Sequence, residues 1–75
     1  MVDVISVRPM VQGWAVHHPR IVNPQIFRSG AKAEDAAMRL GSRLADAGQS
    51  TEVVVYLREG VLGGRTVYKA GARAT

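Results

Sequence analysis

Ser29-Gly30-Ala31-Lys32-Ala33-Glu34-Asp35-Ala36-Ala37-Met38-Arg39-Leu40-Gly41-Ser42-Arg43-Leu44-Ala45-Asp46-Ala47-Gly48 is the stretch whose periodicity decides the fold. Ala33, Ala36, Ala37, Leu40, Leu44 and Ala47 recur at three- and four-residue spacing, which makes one apolar stripe on an α-helix. Lys32, Asp35, Arg39, Ser42, Arg43 and Asp46 fall on the opposite side. Ser29 or Gly30 is placed to cap the N-terminus, with Glu34 and Asp35 near the positive end of the helix dipole, and Gly48 to end the helix in a left-handed conformation. A stripe rich in alanine lets this helix lie close to whatever covers it, and the cover has to come from the flanking segments.

Those segments read as strands. Downstream, Glu52 to Leu57 is the strongest, with Val53, Val55 and Leu57 on one face and Val54, Tyr56 and Arg58 on the other. Glu59-Gly60 is a tight hairpin turn, Gly63-Gly64 is either a bulge or a competing turn, and Thr66 to Tyr68 returns as strand. Upstream, Val2 to Arg8 is a first strand stopped by Pro9. After the Gln12-Gly13 turn, a second strand puts Trp14, Val16 and His18 on one face and Ala15 and His17 on the other, and Pro19 ends it. Gln25 to Arg28 is a short third strand that sends Phe27 to the core.

The order β-β-β-α-β-β specifies an α+β fold in two layers, one amphipathic helix packed on a mostly antiparallel sheet. The expected core is Val4 or Ile5, Trp14, Val16, Phe27, Ala36, Ala37, Leu40, Leu44, Val53, Val55 and Leu57. Residues 1–69 form a single domain and residues 70–75 a flexible C-terminal tail of mostly small residues.

Gly13-Trp14-Ala15-Val16, the short strand ending Phe27-Arg28-Ser29, the helix start Lys32-Ala33-Glu34-Asp35-Ala36-Ala37 and the closing turn Glu59-Gly60 form a recognisable series. From about Ile5 to Val61 the chain resembles the small bacterial domain-of-unknown-function family numbered two-one-eight-eight. Here Ser29 stands where that family has Thr, extra residues separate it from Lys32, and Glu59 stands where it has Asp. The resemblance implies an α+β fold and carries no assigned activity.

Composition narrows the classes. A chain of 75 residues makes one domain. It buries only about 60–65% of the surface its unfolded chain exposes, so its stability is a few kcal/mol. Without cysteine there is neither a disulfide framework nor a thiolate metal site. The N-terminus lacks the charged start and apolar run of a secretory signal, and the longest apolar run, Val53 to Leu57, is far short of a membrane span. These features point to a cytoplasmic protein with no membrane partner. Ten basic residues against six acidic ones leave a net charge of +4, and eight of the ten are arginine, whose planar fork suits phosphate.

Each candidate site has a plainer role beside it. His17 and His18 are neighbours on a strand, so their rings point to opposite faces and cannot share one metal ion; solvent-exposed histidines near a sheet edge are the expected case. Gly60 to Thr66 superficially matches a phosphate loop, yet it has Glu59 and Arg65 where Gly and Lys are needed and leads into a strand. Ser6, Ser29, Ser42 and Ser50 have no His and carboxylate arranged as a triad, and one helix on one sheet offers no deep pocket of substrate size. No enzyme activity and no cofactor are expected.

Trp14 reads as a core anchor rather than a stacking platform. Tyr56, joined by Tyr68, falls on the sheet face away from the helix with Val54, Arg58 and His17, a mixture of aromatic and basic groups found in single-strand binders and equally in an ordinary solvated face or dimer contact. Arg39 and Arg43 lie one helical turn apart, with Lys32 at the preceding end. The expected function is a small binding domain for nucleic acid through Lys32, Arg39, Arg43, Tyr56 and Arg58. The alternative is a module that associates with itself or with another protein.

Overall fold

The computed structural model describes residues 2–71; Met1 and residues 72–75 fall outside the described residues, and with them Arg73 and most of the expected flexible tail. The chain runs β1 (Asp3–Met10), β2 (Gly13–His17), β3 (Gln25–Phe27), α1 (Gly30–Asp46), β4 (Thr51–Tyr56) and β5 (Leu62–Tyr68). The fold is α+β: α1 packs on one face of a five-stranded mixed sheet of order β3-β2-β1-β4-β5. Three pairings are antiparallel, while β1 and β4 run parallel with Ile5 opposite Val53 and Val7 opposite Val55. The parallel pair follows from α1, which leaves the β3 edge, crosses the sheet and returns the chain beside β1.

β1 extends through Pro9 to Met10 instead of stopping at the proline. Its pairing with β4 ends at Val7, so Pro9 sits where β1 has β2 alone as neighbour and the missing amide breaks no ladder. Both glycine features after β4 exist. The turn closes with Leu57 N–H on Val61 C=O at 2.8 Å and Gly60 N–H on Leu57 C=O at 2.9 Å. Gly63 is the extra residue of a bulge, because Val55 pairs with Gly64 and Tyr56 with Leu62.

Ile5, Val7, Val16, Ala33, Ala37 and Val53 form the buried core, with Trp14, Phe27, Leu40, Leu44, Val55 and Tyr68 packed around it. Of the alternatives at the start of β1, Ile5 is buried and Val4 exposed. Three expected positions differ. Leu57 lies past the end of β4 and is 46% exposed. Ala36 is half-buried, because the helix rests on Ala33, Ala37, Gly41 and Ala45 and so is rotated slightly from the expected stripe. Tyr68 lies over the core and not on the open face, because it pairs with Thr51, whose side of β4 carries Val53 and Val55. Thr51 is fully buried, and its hydroxyl donates to Gln49 C=O at 3.0 Å, so its polar atom is satisfied.

Both helix ends follow from local chemistry. Ser29 is extended (φ −120°, ψ 149°) and its Oγ accepts from Lys32 N–H at 3.1 Å. Glu34 and Asp35 lie past the first turn, so they do not serve the dipole there. At the far end Gly48 takes φ +98°, which lets Gln49 N–H reach Leu44 C=O at 2.8 Å and Gly48 N–H reach Ala45 C=O at 3.0 Å. Ser29→Ala is expected to lower stability by about 1 kcal/mol. In a domain of this size that is a drop of about 4–8 °C in Tm, measurable by circular dichroism. An unchanged melt would mean that the Ser29 hydroxyl caps nothing in solution.

Candidate functional site

The five residues expected to bind nucleic acid are distributed over three places. Lys32, Arg39 and Arg43 remain together on α1. Residues seven and eleven positions apart return to within about 20° of the same helical direction, so these three make one row. From Lys32 to Arg43 the row spans about 16 Å at the helical rise of about 1.5 Å per residue. Tyr56 lies on the sheet face opposite the helix. Arg58 does not join it, because β4 ends at Tyr56 and the chain turns. The Arg58 guanidinium donates to Met10 C=O at 2.9 Å and lies 5.5 Å from the centroid of the Trp14 ring, on the helix side.

On the open face the partner of Tyr56 is Arg8, whose guanidinium lies 4.2 Å from the ring centroid. Ser6 and Arg8 of β1 share a face with Val54 and Tyr56 of β4, so the pair follows from a register that only the folded sheet defines. His17 is exposed, whereas the His18 side chain is only 7% exposed, which corrects the expectation of two solvated histidines. His18 Nδ1 accepts from Arg20 N–H at 3.1 Å, and its Nε2 lies 3.4 Å from Asp3 Oδ2. Asp3 also pairs with the Arg20 guanidinium, and Ile21 N–H bonds His18 C=O at 3.1 Å. Together these contacts hold residues 18–21 in place, with Ile21 lining the space that α1 borders.

That loop completes a groove. Ile21, Gln25 and Phe27 form one wall, and Lys32, Asp35, Ala36, Arg39, Leu40 and Arg43 of α1 form the other, around 570 Å³. A cavity of this size lies within the range of about 300–1,000 Å³ that small ligands occupy. One helix on one sheet therefore does leave a concavity, beside the short edge strand β3, with Ile21 of the β2–β3 loop on its lining. Phe27, Ala36 and Leu40 are half-buried and make the floor apolar, while the cationic row is exposed. Asp35 is the one acidic residue among those lining the groove, and its carboxylate is held by Arg39 Nε at 3.1 Å. The lining thus carries three cations to one carboxylate.

Sequence reasoning locates the cationic row and misses the opposing wall. Phe27 reads as a core residue alone, and Ile21 and Gln25 carry no signal, since nothing local places a loop residue beside a helix that begins nine positions later. Among the described residues no three His, Cys, Asp or Glu side chains cluster as a metal site, and no helix is long and apolar enough to cross a membrane.

Fold and groove together define a one-helix α+β domain with an amphipathic, cation-rimmed concavity. Comparison of the chain with family models, curated proteins and solved structures found no significant match in any of the three.

Proposed function

We propose that the chain is a non-enzymatic binding domain whose ligand is nucleic acid, held along α1 by Lys32, Arg39 and Arg43. The observation that carries this reading is the row itself: three cations in line on the rim of one groove, with the single carboxylate of the lining already paired to Arg39. A flexible polyanion with regularly spaced phosphates fits such a row. The net charge of +4 adds long-range attraction. Membership of the small bacterial family resembled by the Trp14 strand and the helix start belongs to the same proposal, as does a cytoplasmic location.

Arg39→Ala/Arg43→Ala is expected to reduce affinity for oligonucleotides and to flatten the dependence of log affinity on log salt by about 1.5 units, two phosphate contacts at about 0.7–0.9 each. Asp35→Asn is expected to act in the opposite sense, since it removes the acidic group and frees the Arg39 guanidinium. Both are read from salt titrations of fluorescently labelled single- and double-stranded oligonucleotides. Absence of binding to either form at low salt ends the proposal.

The second reading is self-association through the open sheet face, where Val4, Met10, Ile26, Leu62 and Val67 are each about half exposed around Tyr56. Tyr56→Lys is the variant that tests it, through the mass in solution at high protein concentration.

A further inference from the structure

We infer that the groove between α1 and β3 takes single-stranded nucleic acid, with one unpaired base seated against Phe27 while successive phosphates of the strand lie along Lys32, Arg39 and Arg43. This rests on the reading above and adds to it which form of the polyanion binds and through which contact. A cationic row on a convex, polar helix face would serve the phosphate ridge of a duplex equally well. Here the row borders a concavity floored by Phe27, Ala36 and Leu40. A duplex keeps its bases inside the helix and would place only charged phosphates and sugars over that floor, leaving apolar surface facing a polyanion. A single strand can turn a base inward, fill the space with a flat apolar surface, and still leave its phosphates outside on the cations.

The dimensions agree. The groove volume of 570 Å³ accommodates a nucleotide-sized group. Phe27 is held in place from behind, because it pairs with Trp14 across β2 and β3 and packs on the core, so its exposed part is a rigid platform. Gln25 stands two residues away on the same side of β3, and its amide offers both a donor and an acceptor to a base edge. The open sheet face is the weaker platform, since the Tyr56 ring already has Arg8 over it.

The decisive experiment uses the unaltered protein and ligands of equal charge: an oligothymidylate, an abasic oligodeoxynucleotide of the same length, a duplex of that length and a poly-glutamate peptide of matched charge. Stacking of one base changes affinity by roughly tenfold. The oligothymidylate is therefore expected to bind about tenfold more tightly than the abasic strand and more tightly than the duplex or the peptide. Phe27→Leu, which keeps apolar bulk and removes the aromatic face, is expected to erase the preference for the base-carrying strand over the abasic one. Its thermal melt is recorded beside wild type. Equal affinity for the abasic and base-carrying strands overturns the base-in-groove inference while leaving phosphate binding intact. Poly-glutamate bound as tightly as the oligothymidylate would overturn it in favour of an acidic protein partner. No binding to any nucleic acid removes both this inference and the reading beneath it.

Discussion

Gly13→Val is expected to abolish cooperative folding. Gly13 opens β2 with φ +131°, a conformation that L-residues with side chains rarely adopt. A Cβ there would come within 2.6 Å of the Phe27 carbonyl oxygen. The backbone term alone costs about 1–3 kcal/mol, and more for a β-branched residue. The clash is with main chain, so it cannot be relieved by a rotamer change. The one way out is for β3 to peel from β2, which uncovers Trp14 and Phe27 and detaches the segment that caps α1. A domain of this size holds only about 3–5 kcal/mol in total, so either route takes most of it. Gly48→Ala is the control: φ is +98° but nothing lies within 4 Å of where its Cβ would stand, and a loss of about 1 kcal/mol is expected. Thermal melts distinguish them, and a Gly13→Val protein that melts within a few degrees of wild type would mean that β2 and β3 do not approach as described.

The second large effect is at Gly41. A Cβ at this position would meet the Tyr68 ring at 2.9 Å and Val53 Cγ2 at 3.1 Å. Gly41→Leu adds three further carbons to that contact and is expected to cost about 3 kcal/mol, enough to leave much of the chain unfolded. Gly41→Ala separates space from helix propensity. Its single methyl requires the Tyr68 ring to shift, which β5 permits as an edge strand, and alanine offsets this by about 1 kcal/mol of helix propensity. The alanine variant is therefore expected within about 1 kcal/mol of wild type. If leucine is tolerated as well as alanine, α1 does not lie against Tyr68 of β5 at Gly41.

These two glycines mark where local reading stops. The alanine spacing of α1 and the alternation in Val53 to Leu57 are enough to require a helix on a sheet, because period and hydrophobicity together leave few ways to bury one stripe. A close approach between the layers lies at Gly41, which carries no side chain and so leaves no trace in a hydrophobic pattern. Likewise Tyr68 alternates with exposed residues and reads as an outer-face residue, until its pairing with Thr51 turns it onto the core.

By itself, the sequence determined the element order, the helix start at Ser29 or Gly30 and its stop at Gly48, the core residues Val16, Ala37 and Val53, and the cationic row Lys32, Arg39 and Arg43. All of these rest on interactions between residues close in the chain or on a regular period. Only the tertiary structure decided which surface each candidate shares. It set Arg8 over Tyr56 through the β1–β4 register, drew Arg58 away to Met10 and Trp14, and placed Ile21, Gln25 and Phe27 opposite the row. A one-residue change of register moves every side chain of a strand to the other face, and register between distant strands is chosen by the packing of the whole sheet rather than by either strand alone.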